Sequence, residues 1–377
     1  MAQDPLFGER IEWSGYPETV STPPLFTIAA AVLFVTAAVS TLFALVTALA
    51  LQLSPAATLL FGAWATTLGI ACLQGPRLWL SGVRYTVTEN HVIYQRGAYR
   101  RSIERRSVSF ARIFWSRTHP GMGDLELVRA VPTGALHRRL VLRMPGLAAP
   151  DRVWAIIRGA EHVSPRGTGE RPLTQRLDAG ERVLWAARPR SAWRAFRPHG
   201  RREWMQLAIA AVLLAVFART VLESVPNLEH LARAGLPIRS AAFLALVLGI
   251  ALSAGLVLAT ASWLIFDAVV RPGRLARETR YLVTNRRVLI QRGVEELHLD
   301  RARIVDVIDA PSGDGLRTVF LVLDGPRARA LAPSGAFGEG ERGPELRPVF
   351  ESVEDAESVS RILRSEPDDT PSLPRAA

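Results

Sequence analysis

The most distinctive chemistry in this sequence lies in arginines that alternate with aromatic residues. Segment 188–204, RPRSAWRAFRPHGRREW, carries six arginines before its first acid and ends where a long apolar run begins. Beside an anionic leaflet each such arginine contributes about 1 kcal/mol of attraction, and tryptophan settles at headgroup depth. A second basic cluster lies at 100–106. We therefore predict contacts with anionic headgroups or a protein partner for Arg188, Arg190, Arg194, Arg197, Arg201, Arg202, Trp193, Trp204, Arg100, Arg101, Arg105 and Arg106.

Both clusters also have a plainer interpretation. The arginines of 188–204 would hold that segment on the cytoplasmic side of a membrane, as basic residues beside spans generally do. Those at 100–106 would form an ordinary solvated strand face. For 188–204 the two interpretations are compatible, because an arginine that fixes topology also lies near the headgroups.

Composition narrows the classes of function. The chain of 377 residues has a formal net charge of +11, and every one of its 46 basic residues is arginine. Guanidinium groups suit phosphate and carboxylate oxygens. The single cysteine, Cys72, excludes an internal disulfide and a four-cysteine zinc site. Nucleic acid is not an expected partner, because the excess charge lies beside apolar runs rather than on one reading module.

No catalytic constellation emerges from the sequence. The GxGxxG string at 338–343 has acids in its gaps and Pro344 directly after it, so it lacks the context of a nucleotide site. The seven histidines are scattered, without the spacing of a metal site. Four aspartates near arginines are predicted to form solvated faces and local ion pairs: Asp300, Asp306, Asp309 and Asp314. We expect no enzyme activity, no cofactor and no metal.

Four apolar segments are long enough to cross a bilayer. No charged residue occurs from Thr19 to Pro76, a run that fits two spans joined by a short turn. A bilayer core needs about 20 residues of helix, and in lipid the backbone must satisfy its own hydrogen bonds. The predicted spans are 25–50, 56–79, 204–222 and 241–266, with an external loop at 223–240.

Arginine counts beside the spans set the predicted orientation. Segment 77–203 holds 25 arginines against 10 acids, whereas the outer loops hold two. The positive-inside rule then puts both termini in the cytoplasm. The spans carry no charge near their centres, and their small residues suit helix packing and a homo-oligomer. A small-molecule or lipid transporter formed by the four spans stays open as the alternative.

The water-soluble parts of the sequence are two copies of one unit. RYTVTENHVIYQRG at 84–97 and RYLVTNRRVLIQRG at 280–293 share eight of fourteen positions at an offset of 196. GERIEWSGYP at 8–17 and GERVLWAARP at 180–189 precede the two pairs of spans. A repeat of this length indicates a duplicated domain rather than a solenoid.

Each copy is predicted to be a small bent sheet closed by one helix. Apolar residues alternate around a hairpin turn at 284–286, and more alternating strands follow. An amphipathic helix at about 353–364 ends the second copy, with Ser352 and Asp355 as its expected capping box. Pro150 opens the equivalent helix in the first copy. The predicted fold class is membrane α-helical hairpins plus α+β, with two bent sheets or open barrels.

The second copy has a recognisable series of elements. The lead-in GERVLWAARP, the pair of spans, the hairpin RYLVTNRRVLIQRG, the strand LDRARIVDV and the terminal helix resemble the bacterial pleckstrin-homology (PH) membrane proteins, long described only as a domain of unknown function. The resemblance covers both halves of the chain, although the first copy has His91 where the second has Arg287. It implies a seven-stranded PH-like fold, membrane attachment and no catalytic residues.

The sequence thus divides into seven predicted segments. They are a cytosolic lead-in (1–24), a transmembrane hairpin (25–79), a PH-like module (80–162), a linker with the basic lead-in (163–203), a second transmembrane hairpin (204–266), a second PH-like module (267–364) and a disordered tail (365–377). The predicted function is that of a scaffold or sensor without enzyme activity. Its PH-like modules would bind protein partners or anionic lipid headgroups at the inner leaflet.

Overall fold

The computed structural model describes residues 8–19, 22, 24–50, 54–130, 139–160, 173, 177–178, 180–189, 196, 201–233, 241–313, 316–323 and 346–365. The chain divides into two compact units. The helical unit comprises Thr22–Trp79 and Ala195–Gly273, and the strand unit comprises Met1–Ser21, Leu80–Arg194 and Arg274–Ala377. The nucleotide-like string at 338–343 and the predicted tail beyond Ser365 lie outside the described residues.

Long apolar helices dominate the helical unit. They are α1 (Pro24–Ala50), α2 (Ala56–Leu80), α4 (Arg201–Arg233) and α5 (Ala241–Ile265), and a π-helical turn (Phe266–Val270) leads from α5 into α6 (Arg271–Glu278). Four stretches are long and apolar enough to cross a membrane: Leu25–Leu45, Ala56–Leu80, Glu203–Glu223 and Ala254–Glu278. The prediction of a membrane protein with four spanning helices is supported by these lengths and compositions.

Small residues let α1 and α2 approach closely. A Cβ atom at Gly69 of α2 would lie 3.0 Å from the ring of Phe34 on α1, so a larger residue would push the helices apart. The hydroxyl of Ser40 donates to the carbonyl of Thr36 in the same helix, at 2.8 Å, and is thereby satisfied without a partner helix. The buried small residues on the two helices are Ala30, Ala37, Ser40, Ala44, Gly62, Ala65 and Gly69.

Helix α4 is longer than its predicted span. It continues to Arg233, so the first part of the segment predicted as the loop 223–240 is helical. The residues that extend it include Leu228, Glu229 and Leu231, which are good helix formers. Hydropathy sets the limits of a span, whereas backbone propensity sets the limits of a helix, and the two differ here.

The described part of the strand unit holds fourteen strands and two further helices. The first seven strands are β1 (Ile11–Gly15), β2 (Val83–Thr88), β3 (His91–Arg96), β4 (Tyr99–Glu104), β5 (Phe110–Trp115), β6 (Met122–Ala130) and β7 (Arg139–Ala148), followed by α3 (Pro150–Arg158). The second seven are β8 (Val183–Ala187), β9 (Thr279–Thr284), β10 (Arg287–Arg292), β11 (Glu295–Asp300), β12 (Ile304–Gly313), β13 (Leu316–Leu323) and β14 (Val349–Val353), followed by α7 (Ala356–Arg364).

Both copies of the repeat follow one plan of four strands, three strands and a helix. Strand pairing repeats with the sequence, since Val87 lies opposite Val92 and, 196 residues later, Val283 lies opposite Val288. All pairings among the described strands are antiparallel, and the sheets are open rather than closed into barrels. The predicted combination of long helices with antiparallel sheets is confirmed.

The two copies share one sheet. Strand β5 of the first copy pairs with β11 of the second, which gives a seven-stranded sheet in the order β7-β6-β5-β11-β10-β9-β8. Phe110 and Val128 of the first copy pack into the hydrophobic core of the second, around Val283 and Leu297. This pairing, called the β5–β11 junction below, makes the core of the second copy depend on the first.

The start of α7 differs from the predicted capping box. The helix begins at Ala356, and Asp355 in the N-cap position makes no side-chain hydrogen bond to the helix end. Strand β14 extends to Val353 and carries Ser352 into a left-handed conformation (φ 52°), so this serine cannot cap the helix. The capping-box prediction was wrong because strand pairing extends past Ser352. Helix α3 does begin at Pro150, as predicted.

Candidate functional site: arginine surfaces on the strand unit

A buried ion pair in the second copy joins the lead-in strand to the first hairpin. The Glu181 carboxylate is 0% exposed and accepts two hydrogen bonds, each 2.8 Å long, from the guanidinium of Arg287. It also accepts a 2.6 Å hydrogen bond from the hydroxyl of Thr284. A planar guanidinium matches a carboxylate in this two-point geometry. The Glu and Thr-x-x-Arg positions of the repeat therefore form a structural clamp.

The first copy has the same clamp with a histidine in place of the arginine. Glu9 accepts a 2.5 Å hydrogen bond from the Thr88 hydroxyl and lies 3.0 Å from Nδ1 of His91. Desolvation raises the pKa of the Glu9 carboxyl, but hydrogen bonds from Thr88, His91 and Asn90 outweigh it and lower the pKa below 4.5. Glu9 is therefore an ionised carboxylate at neutral pH.

Arg105, predicted to face headgroups or a partner, is engaged within its own copy. Its guanidinium donates hydrogen bonds of 2.6–2.9 Å to the carbonyls of Thr88, Glu89, Ile156 and Ile157. Arg301 lies 196 residues later and makes the same kind of contacts, with the carbonyls of Thr284, Asn285, Ile362 and Ser365. Each arginine ties a hairpin turn to the C-terminal end of a helix, where a cation also complements the helix dipole. We call this arrangement the staple; Arg105 has a structural role in it.

Arg100, also predicted, belongs to a polar row across the first sheet. Arg84, Gln95 and Arg100 lie opposite one another on β2, β3 and β4, so they share one face. Arg84 and Gln95 are exposed, and Arg100 is half-buried. Arg101 points to the opposite face of β4 and Arg106 follows in the next turn; both are exposed. The structure therefore brings Arg100 together with Arg84, which the sequence did not single out.

The structure shows a second basic surface that was not predicted from the sequence. Arg274 and Arg277 are exposed on α6, and the exposed Arg280 follows in β9. Helix α6 forms the C-terminal part of the fourth span, so Arg274 and Arg277 lie near the end of that span and Arg280 lies two residues beyond it. The signal was available as the three-residue spacing RxxRxxR. The prediction of headgroup contacts favoured 188–204 instead, because arginines are denser there.

Only part of the 188–204 stretch lies in the described residues. Arg188 is exposed just after β8, and Trp204 is 61% exposed in the first turn of α4. Arg201 and Arg202 begin the backbone of α4. The predicted contact residues that lie outside the described residues are Arg190, Trp193, Arg194 and Arg197.

Buried ion pairs stabilise the β5–β11 junction. Arg112 (1% exposed) and Glu126 (2% exposed) pair at 2.8 Å between β5 and β6, so this charge pair lies beside the junction within the first copy. Arg158, at the end of α3, reaches across to Asp178 at 2.7 Å and to Asp300 at 3.3 Å. Such pairs favour one register, because a slipped strand would leave a charge buried without its partner.

His298 lies buried on β11 at this junction. Its Nε2 is 3.4 Å from a Glu296 oxygen, and it lies opposite Ala111 of β5. Burial lowers the pKa of His298, against the opposing effect of the Glu296 carboxylate, and Arg287 and Arg158 lower the pKa further. The imidazole is therefore neutral at pH 7.

The remaining acids and histidines form no metal-binding cluster among the described residues. No group of three or more His, Cys, Asp or Glu side chains within the described ranges is placed to hold a metal ion. Asp309 pairs locally with Arg317, whereas Asp300 pairs with the distant Arg158 of the first copy. Asp314 lies outside the described residues.

Comparisons with protein-family models, curated proteins and solved structures found no significant match to this chain.

Proposed function

We propose that this chain is a bacterial inner-membrane protein without enzyme activity whose strand unit binds anionic lipid headgroups at the cytoplasmic leaflet. Both termini would lie in the cytoplasm, and each copy of the repeat would be a PH-like module. Of the two partners predicted from the sequence, headgroups or a protein, the arrangement of the exposed arginines favours headgroups.

One observation carries this proposal: in both copies, exposed arginines lie within a few residues of the end of a membrane-spanning helix. Arg84 comes four residues after Leu80, the last residue of α2. Arg274 and Arg277 lie near the end of the fourth span, which finishes at Glu278, and Arg280 follows two residues later. Arginines so close in sequence to a span lie within reach of headgroups, where each is worth about 1 kcal/mol. Guanidinium groups also bind phosphate oxygens in a two-point geometry.

The test uses the full chain in nanodiscs of phosphatidylcholine with a minor fraction of dansyl-labelled phosphatidylglycerol. Energy transfer from the tryptophans, which include the exposed Trp204 and Trp263, reports how much labelled lipid gathers at the protein. In the triple variant Arg274→Ser, Arg277→Ser, Arg280→Ser we expect the enrichment to fall about two-fold or more. Wild-type enrichment should also fall as salt rises.

A matched control removes the same charge elsewhere. The variant Arg117→Ser, Arg152→Ser, Arg361→Ser changes three exposed arginines that do not follow a span. It should retain wild-type enrichment. Equal enrichment in all three proteins would overturn the proposal and leave a protein partner as the occupant to seek.

A further inference from the structure

The β5–β11 junction has a counterpart that a single chain leaves open. Strand β4 is the first-copy equivalent of β11, and β12 is the second-copy equivalent of β5. Among the described strands, β4 ends the four-stranded sheet and β12 ends the three-stranded sheet. The two strands that meet at the junction thus each have a duplicate at a sheet edge. An open edge presents unpaired backbone groups that can pair with another strand.

The observed register can be transferred to these edges through the repeat. At the junction, Leu297 lies opposite Arg112 and Glu296 opposite Ile113. Subtracting 196 from the first residue of each pair and adding 196 to the second puts Arg101 opposite Ile308 and Arg100 opposite Asp309. The equivalence of β5 and β12 is supported by their pairing with the next strand, since Ala111 lies opposite Leu127 and Val307 opposite Leu321. The offset is 196 for β5 and β12, and it is 194 for their partners β6 and β13, where 121–127 corresponds to 315–321.

The transferred register is electrostatically favourable. Arg100 would face Asp309, so a basic residue would lie opposite an acidic one. At the junction the equivalent positions are held by Glu296 and Ile113. Directly opposed charges of opposite sign stabilise a strand pair, and like charges would oppose it. Asp309 pairs with Arg317 in the single chain, so its side chain is already oriented on this strand.

Both residues of the ion pair that crosses the junction have charged equivalents in the other copy. Arg158 at the end of α3 pairs with Asp300 at the end of β11. Their equivalents are Arg364 at the end of α7 and Glu104 at the end of β4. In the single chain Arg364 donates to the carbonyl of Val307 on β12, at 2.9 Å, and Glu104 is exposed. The charges that would close a second junction are present on the two open edges.

We propose that β4 is a docking edge for β12 of a second copy of this chain, in the register of the β5–β11 junction. Arg364 of one copy leaves the Val307 carbonyl and pairs with Glu104 of the other. The two surfaces that meet are different, so the contact is head-to-tail and propagates into a ring or an open row of chains. The plainer role of Arg100 and Arg101 is to protect β4 from unwanted pairing, and the experiment below separates the two.

Disulfide trapping in membranes tests the proposed register. The backbone N–H of Trp115 donates to the carbonyl of Val294, so these two residues form a hydrogen-bonded pair. Hydrogen-bonded and non-hydrogen-bonded pairs alternate along antiparallel strands, which makes Arg112 and Leu297 a non-hydrogen-bonded pair. Their equivalents, Arg101 and Ile308, would approach closely enough for a disulfide. Two differently tagged full-length chains, both with Cys72→Ala, carry Arg101→Cys in one and Ile308→Cys in the other. Oxidation should join the two tags, whereas Arg106→Cys with Ile308→Cys should not.

Charge reversal then separates specific docking from chance collision. Adding Glu104→Arg to the first chain should lower the disulfide yield about five-fold, and adding Arg364→Glu to the second should restore it. Glu89→Arg, an exposed reversal on the neighbouring turn, should leave the yield unchanged. A yield no higher than that of the Arg106→Cys control, or one insensitive to Glu104→Arg, would overturn the proposal. The Arg274, Arg277, Arg280 variant should trap normally, so failure of docking and failure of headgroup binding remain distinguishable.

Discussion

The first and second copies of the repeat share a backbone plan but differ in what surrounds their fourth strand. In the second copy β11 is covered by β5, and its polar side chains Glu296 and His298 are buried. In the first copy β4 is a sheet edge, with Tyr99 61% exposed and arginines at 100 and 101. Duplication thus leaves the fourth strand of one copy inside a sheet and the fourth strand of the other at a sheet edge that carries arginines.

The clamps of the two copies also differ in burial. Glu181 and Arg287 are both almost inaccessible to solvent, whereas the side chains of Glu9 and His91 are 15% and 25% exposed. A buried charge that loses its partner is far more costly than a half-exposed one, because water can solvate only the latter. The second copy should therefore be the more sensitive to substitution at equivalent positions.

The largest effect is expected from breaking the buried clamp. Arg287→Leu leaves the Glu181 carboxylate buried beside Thr284 without its cation, and should destabilise the β9–β10 hairpin by about 3–5 kcal/mol. Glu9→Ala in the first copy should cost only about 1–2 kcal/mol. Hydrogen exchange on the full chain in nanodiscs measures both opening free energies. Equal losses in the two hairpins would refute the difference in burial as the cause.

Substituting the staple arginines should again destabilise the second copy more than the first, but by less than breaking the buried clamp. Arg301→Lys keeps the charge but loses the planar fork that reaches four carbonyls, and should lower the stability of the α7 end by about 2–3 kcal/mol. Arg105→Lys should act more weakly on α3, because Arg105 is half-buried whereas Arg301 is buried. Amide exchange at the last turns of α7 and α3 provides the comparison. Full retention of protection in Arg301→Lys would show that the charge alone suffices.

Acidification should loosen the junction in the second copy. The folded chain holds His298 neutral, with its pKa below 6.5, whereas an opened junction lets it bind a proton. As pH falls through 6.5 the open state therefore gains protons that the closed state lacks, and stability drops. Exchange of β11 amides, corrected for intrinsic rates, should rise between about pH 7.5 and about pH 5.5. The variant His298→Leu should lack this rise, and its persistence there would assign the effect to other groups.

The smallest effect should come from making the first clamp resemble the second. His91→Arg would give Glu9 a two-point partner and should stabilise the β2–β3 hairpin by about 0.5–1 kcal/mol at pH 7. The gain should disappear as pH falls through the lowered pKa of Glu9, because a protonated carboxyl no longer attracts the guanidinium. Hydrogen exchange of the hairpin at neutral and acid pH checks both statements. A loss of stability at pH 7 would mean that the site cannot accommodate the longer side chain.

Local patterns in the sequence predicted the hairpins, the helices and the duplication. The alternation around Thr284 and the apolar runs from Thr19 to Pro76 each encode a local element, and the structure has those elements. The clamp was within reach of prediction, because both of its halves recur in the repeat. Its residues Glu181 and Arg287 lie 106 positions apart, and only the fold shows that they meet.

The junction could not be read from the sequence. Strands β5 and β11 belong to different copies, and nothing in the spacing of Ala111 or His298 specifies a pairing partner. Register between distant strands depends on the packing of whole faces, which a single sequence does not display. The role of Arg105 was mispredicted for the same reason. Its charge suggested a surface contact, but in the structure its guanidinium joins a hairpin turn to a helix end.

Hydrogen exchange of the full chain in two kinds of nanodisc tests the central claim most directly. One kind contains only phosphatidylcholine, and the other also contains phosphatidylglycerol. Headgroup binding predicts slower exchange at 274–280 and 84–101 in the anionic discs, with no change in β8 at Val183–Ala187. In the variant Arg274→Ser, Arg277→Ser, Arg280→Ser, the slower exchange at 274–280 should disappear. Identical exchange in both discs would contradict anionic headgroups as the ligand of the strand unit.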